Sequence, residues 1–202
     1  MRVAFRSCRG GVTAAAIDSK SIGGNPVRVR IPPPVPSPPA PVTRLIFVDA
    51  PSLQERFAPD GRCFGCGPKN PSGLRIRSFV ADDGAVVAEW RPRPEHEAFD
   101  GYVNGGILGT LIDCHSNWTA IAALMASGWA SEAPSTVTAE YSVRFRRPTP
   151  SDRSLRIVGR AIEVAPDRVA VETAVEADGV VTARGRAVFV PVGEGHPAYG
   201  RW

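Results

Sequence analysis

The stretch Asn104–Met125, NGGILGTLIDCHSNWTAIAALM, decides how this chain folds. An asparagine and two glycines open it, and a long run at helical spacing follows. Ile107, Leu111, Cys114, Trp118 and Ile121 recur every three or four residues and form one apolar stripe. Thr110, Asp113 and Asn117 form a second, polar stripe. The spacing predicts a helix from about Asn104 to about Ser127, with Gly128 as its stop. Asp113 lies in the middle of that helix among apolar or small residues. A carboxylate there is costly unless it is paired, hydrogen-bonded or used.

Working outward, the period changes to two after Pro134. Thr136–Arg147 alternates as a long strand, and Pro148 and Pro150 end it. Ser154–Glu163, Arg168–Glu176 and Val180–Val190 follow, separated by Pro166-Asp167 and Asp178-Gly179. Short turns between successive strands predict an antiparallel meander. Upstream of the helix, Leu74–Val80 and Ala85–Trp90 flank Asp82-Asp83-Gly84 and read as a hairpin. Arg91–Val103 reads as a loop. One long helix against a five- or six-stranded antiparallel sheet is an α+β architecture.

The chain has 202 residues, enough for one domain with a substantial core. Its net charge of +4 is unevenly spread. Residues 1–44 hold seven Lys or Arg against one acid, Asp18, so the rest holds 17 basic against 19 acidic groups. The basic excess therefore belongs to the tail, which argues against a nucleic-acid-binding domain. The expected organisation is a disordered Pro-rich tail over residues 1–44, a domain over 45–192 and a short C-terminal tail over 193–202. Ile31–Pro41 has seven prolines in eleven positions and is expected to be extended. The preceding run PVRVRIPP can be encoded by CCG GTT CGA GTC CGG ATC CCG CCA, which resembles the end of a transfer-RNA gene. The tail is thus expected to be translated upstream DNA, with the physiological start nearer Leu45, and the nucleotide sequence tests this.

Four cysteines are present: Cys8, Cys63, Cys66 and Cys114. They do not space like a disulfide framework, and a cytoplasmic setting is the default expectation. No apolar run approaches the ~18–20 residues of a membrane span, so no membrane partner is expected. Cys63-Phe-Gly-Cys66 alone is half a zinc site, but no second ligand pair follows at finger-like spacing. A packed, turn-rich loop and no metal are the expectation.

Asn104-Gly105-Gly106 places a bare helix N-terminus where backbone N–H groups and a partial positive charge can meet a ligand. Such an end can polarise a carbonyl and stabilise an oxyanion. Asp113 is eight residues beyond Gly105, roughly 12 Å along one straight helix. The two cannot touch one reacting atom directly from a single helix. Either a substrate spans the gap, or they serve different sites, or a second subunit brings them together.

The run from Cys63 to Val190 resembles the hotdog-fold acyl-CoA thioesterases, in particular the phenylacetyl-CoA thioesterase-like (PaaI-type) branch. The residues that carry the resemblance are CFGCGPKNPSGL from Cys63 to Leu74, H-x4-G-x2-N-G-G from His96 to Gly106, Leu111-Ile112-Asp113, and the strand ending VRFRRP. The resemblance implies a hotdog fold, in which an antiparallel sheet wraps a long central helix. It implies a homodimer through edge strands, or a dimer of dimers (a homotetramer), with active sites at the subunit interface. Asp113 would be the nucleophile or the general base that activates water, and the Gly105 N–H from the opposite subunit would polarise the thioester carbonyl. The chain departs from the family at Asn104, where His is common; Asn donates a hydrogen bond but does not shuttle a proton. His96 or His115 is then a candidate substitute, although His115 sits about 200° round the helix from Asp113.

The expected function is hydrolysis of an acyl-CoA thioester to a carboxylic acid and coenzyme A, with no cofactor beyond the coenzyme A of the substrate. Catalytic candidates are Asp113, Gly105 and Asn104. Substrate-binding candidates are His96, Gly106, Asn117 and the basic cluster Arg144, Arg146 and Arg147, with Arg144 and Arg146 on one strand face. Arginine suits phosphate geometry, and coenzyme A is polyanionic. The rivals are a hydratase or dehydratase on the same fold, which wants an Asp–His pair, and a non-catalytic acyl-CoA-binding module.

Overall fold

The computed structural model describes residues 50–200, which lie in the compact unit Pro39–Trp202. The expectations about residues 1–44, and about the last two residues of the C-terminal tail, fall outside the described residues. In chain order the elements are α1 (Leu53–Phe57), β1 (Phe79–Val80), β2 (Val86–Trp90), a 3-10 turn (Pro94–His96), β3 (Glu97–Phe99), β4 (Tyr102–Val103), α2 (Gly105–Ala126), β5 (Thr136–Phe145), β6 (Leu155–Ala165), β7 (Arg168–Ala177) and β8 (Val180–Pro191). One six-stranded antiparallel sheet runs β1-β2-β6-β7-β8-β5, and β3 and β4 form a small separate hairpin. The α+β expectation holds, with α2 as the single long helix.

Helix α2 ends where its sequence says it should. Asn104 is the N-cap, its Oδ1 accepting the Gly106 N–H at 2.7 Å, and Gly128 turns the chain away at φ 77°. The apolar stripe lies on the sheet: Leu111, Ile112, Trp118 and Ile121 are buried against Leu155, Ile157, Val175 and Ala183. Ile107 is only partly buried. The last turns of α2 pack Ala120 and Leu124 on Val169, Val171, Ala187 and Phe189. Alternation in β7 supplies these inward positions, with Val169, Val171, Thr173 and Val175 buried and Arg168 and Glu172 exposed.

Two glycines let the helix settle this closely. A Cβ at Gly159 would lie 2.2 Å from Thr119 Oγ1, and one at Gly185 would lie 2.2 Å from Ile112 Cγ2. Ile112 is fully buried and cannot retreat. Gly185→Ala is therefore expected to destabilise the fold by about 1–3 kcal/mol, the usual cost of overpacking a filled core. The urea unfolding midpoint checks this, and an unchanged midpoint would mean α2 can shift off the sheet freely.

Three sequence expectations are corrected. The expected strand Leu74–Val80 shrinks to Phe79–Val80. Its first half spends its backbone elsewhere: Leu74 N donates to Phe64 O at 2.7 Å, Ile76 N to Gly65 O at 3.0 Å, and Ser78 O accepts from Leu53 N at 2.9 Å. Arg75 also sits at φ 51°, off any strand geometry. The strand from Thr136 stops at Phe145, so Arg146 and Arg147 lie beyond it; both backbone N–H groups turn onto Thr182 O. Finally, β5 pairs with β8 rather than with its successor β6, so only β6-β7-β8 form the meander. Residues 146–154 carry the chain over the sheet end, and about 30 Å of extended reach easily spans three strand spacings of about 4.8 Å.

Candidate functional site

The polar stripe of α2 faces β5, turn by turn. Near the helix start, a Cβ on Gly105 would meet the Phe145 ring at 3.2 Å. One turn on, a Cβ on Gly109 would lie 3.7 Å from the Tyr141 hydroxyl. Next, Thr138 Oγ1 donates to Asp113 Oδ1 at 2.8 Å. Last, Thr136 Oγ1 donates to Asn117 Oδ1 at 2.6 Å. Glycines at the first two contacts leave room for aromatic side chains, while hydroxyls meet the polar groups at the next two.

Asp113 is half-buried, and its carboxyl is held above the ordinary carboxylate range. Desolvation is the main cause; the Thr138 hydroxyl opposes it and the negative charge of Cys63 adds to it. No positive side chain forms an ion pair with it among the described residues. Thr138 takes Oδ1 only, so the carboxylate keeps acceptor capacity for a water or a substrate atom. The sequence reading missed Thr138. Its signal was weak, because the β-bulge between Thr138 and Glu140 breaks the alternation that would have placed it.

At the helix start the Gly105 N–H is one of the orphan donors of α2 and finds no acceptor among the described residues. The Gly106 N–H is already taken by the Asn104 side chain. Asn104, Gly105 and Gly106 are all exposed. Within one straight helix Gly105 and Asp113 remain roughly 12 Å apart, so one chain does not bring both to one atom.

The other site candidates separate. Asn117 is buried and spent on Thr136. His96, expected to contact substrate, is buried instead: its Nδ1 accepts the Arg93 N–H at 3.0 Å and its ring lies 4.9 Å from Trp90. Burial, then the neighbouring Arg93, holds its pKa down. His96 contributes to the site through its backbone, whose carbonyl accepts the Asn104 N–H at 2.8 Å. The Arg91–Val103 segment, expected to be a loop, closes into the 3-10 turn and the β3-β4 hairpin to make that contact. His115 does not reach Asp113 either; it lies between the Ser78 hydroxyl and the Val86 carbonyl, each at 2.9 Å. Arg144, Arg146 and Arg147 are exposed and form no ion pair among the described residues. The strand end at Phe145 means that Arg146 no longer shares a strand face with Arg144.

A cavity of about 170 Å³ lies between Phe57, Trp118, Ile121 and residues 133–135, lined by neither Gly105 nor Asp113. Gly105 and Asp113 instead face β5, which is an edge strand with one side unpaired among the described residues. Tyr141 and Phe145 there are 50% and 57% exposed, large apolar surfaces on an open edge.

No protein-family model and no curated protein matches the chain. Solved structures do. A thioesterase superfamily protein from Shewanella loihica PV-4 is 34% identical, with 58% of this chain and 91% of that chain covered and a TM-score of 0.50. A second thioesterase superfamily protein is 26% identical, with 64% of this chain and 63% of that chain covered and a TM-score of 0.53. PaaI of E. coli, from the phenylacetic acid degradation operon, is 15% identical over 59% of this chain and 81% of that one, at a TM-score of 0.51. At that identity the likeness to PaaI is one of fold.

Proposed function

We propose, for a chain that belongs to the thioesterase superfamily, that it hydrolyses an acyl-CoA thioester to a carboxylic acid and coenzyme A. The observation that carries the reading is Asp113: a half-buried carboxylate that, among the described residues, has no cationic partner, on the helix whose N-terminus presents a Gly105 N–H that finds no acceptor there. The Gly105 N–H donates to the thioester oxygen, drawing negative charge to itself as the carbonyl carbon is attacked. Asp113 takes the proton of the attacking water, or attacks the carbon itself and is then freed by water; both routes need its ionised form. The carbon–sulfur bond breaks, the electron pair leaves with the coenzyme A sulfur, and that sulfur takes up a proton. Asn104 holds the first turn in shape through Gly106 and leaves its amide N–H groups for the substrate.

The roughly 12 Å between Gly105 and Asp113 supports a site built from two subunits. The edge of β5, unpaired among the described residues and carrying exposed Tyr141 and Phe145, supports pairing of two copies there. Across such an isologous contact the Gly105 of one copy works with the Asp113 of the other. No observation favours the hydratase reading, since neither His96 nor His115 pairs with Asp113.

In this reading Arg144, Arg146 and Arg147 hold the phosphates of coenzyme A, which their exposure and lack of an ion pair among the described residues support. Replacing Arg144, Arg146 and Arg147 together by Ala is expected to raise KM by at least about tenfold with kcat little changed, the pattern of lost uniform binding. An unchanged KM would assign them to solvent. The reading as a whole is tested by thiol release from a panel of acyl-CoA thioesters. Turnover of at least one supports it. Binding without cleavage of any turns the protein into an acyl-CoA-binding module.

A further inference from the structure

The fold joins three thiols that are far apart in sequence. Cys63 and Cys66 come from the turn-rich loop, and Cys114 from the middle of α2. Their Sγ atoms all lie within 4.8 Å of one another, and Cys63 Sγ stands 3.6 Å from Cys114 Sγ. From sequence, C-x-x-C lacks a second ligand pair; the helix supplies the third ligand that spacing could not reveal.

The surroundings are those of a metal-binding turn. Trp118 Nε1–H donates to Cys66 Sγ at 3.3 Å. Such a donor orients a thiolate ligand and offsets its charge. The turn closes through Gly67 N to Cys63 O at 2.9 Å. Both glycines of the turn are required by the packing: a Cβ on Gly67 would lie 2.4 Å from Cys63 N, and one on Gly65 would lie 2.3 Å from Cys114 Sγ. A tetrahedral centre with metal–sulfur bonds of ~2.3 Å separates its sulfurs by ~3.8 Å, close to the separation seen here. Cys66 and Cys114 are buried while Cys63 is half-exposed, which gives an ion a path in.

We propose that Cys63, Cys66 and Cys114 bind one zinc ion per chain. Among the described residues no fourth His, Cys, Asp or Glu ligand atom joins the cluster, so water completes the coordination from the Cys63 side. The ion ties the 63–74 loop to α2 directly beside Asp113.

The test uses the full chain, reduced and stripped with a chelator, then titrated with cadmium(II) as a spectroscopic probe and with zinc(II) in competition. The expected result is a thiolate-to-metal absorption band that saturates at about one equivalent per chain, displacement by zinc, and a higher Tm with metal bound. Cys63→Ser, Cys66→Ser and Cys114→Ser should each weaken binding by at least about tenfold, whereas Cys8→Ser should bind as wild type. Far-UV circular dichroism verifies that each variant folds; should a buried-position variant fail, Cys63→Ser carries the comparison. Saturation well below one equivalent, an unchanged band in Cys63→Ser or Cys114→Ser, or a Cys63–Cys114 disulfide in place of metal in protein purified without chelator would overturn the proposal.

Discussion

Asp113→Asn is expected to fold as wild type and to lose roughly 10²–10⁴-fold in kcat, the range that positioned proton transfer supplies. Asparagine keeps the size of the side chain, and its Oδ1 can still accept the Thr138 hydroxyl that now donates at 2.8 Å. What it loses is the charge that either abstracts a proton or attacks the thioester. Folding should not suffer, because the main influence on Asp113 in the structure is desolvation, which penalises the charged form and spares an amide. The substitution therefore separates chemistry from architecture. Thiol-release kinetics give kcat and KM, and a thermal melt gives stability. Cleavage at the wild-type rate by the Asp113→Asn variant would remove Asp113 from the mechanism.

The second large effect is on stability in mild acid, and it comes from His115. This ring is fully buried between neutral partners: Nε2–H donates to the Val86 carbonyl, and Nδ1 accepts from the Ser78 hydroxyl. Ser78 in turn is fixed by Gln54, whose Nε2–H donates to Ser78 Oγ and whose Oε1 accepts the Ser78 N–H, both at 2.9 Å. Among the described residues no carboxylate faces the ring; burial lowers its pKa to about 4, and the Val86 carbonyl opposes this. In the unfolded chain the same imidazole titrates near its usual value of about 6.5. Between those two values the unfolded state holds a proton that the folded state refuses, so stability rises with pH. The contribution is complete above about pH 6.5 and is lost as pH falls toward about 4, amounting to about 3 kcal/mol. Urea midpoints from pH 7 to pH 4 should show this slope in wild type and a flatter one in His115→Asn. Parallel slopes would mean other groups cause the acid sensitivity.

How much of this was legible in the sequence depends on how local the signal is. Helix α2 was readable to within a residue, because Asn104 and Gly128 act on their own neighbours through capping and a left-handed turn. The strands β6, β7 and β8 were readable from alternation and from turns at Pro166-Asp167 and Asp178-Gly179. Misplaced features were those set by distant partners. Leu74–Arg77 alternates like a strand, yet its backbone bonds to the Cys63–Cys66 loop. Strand β5 looks like the start of the meander, yet it lies beside β8 at the sheet edge. The same divide runs through the site. Asp113 and Gly105 stood out as one carboxylate and one bare helix end. Thr138, 25 residues from Asp113, and Cys114, 51 residues from Cys63, had no local reason to be linked to them. His96 looked like a loop residue free to bind substrate, but burial against Trp90 and Arg93 is a tertiary outcome.

The central claim is that Gly105 and Asp113 act together from opposite subunits, and mixing two inactive variants tests it most directly. Gly105→Pro removes the N–H while suiting the first helical position, and Asn104 already holds the extended conformation that a following proline needs, at φ −62° and ψ 137°. The neighbouring Phe145 ring is exposed and able to yield. Alone, this variant and Asp113→Asn should each lose at least about 10²-fold in kcat. In a mixed dimer one site combines an intact Gly105 with an intact Asp113, while the other site lacks both. Equal mixing should therefore restore about a quarter of wild-type activity, since about half of the dimers are mixed and each holds one working site. Mixed dimers that form, as seen by native mass spectrometry, yet recover no activity would contradict the account.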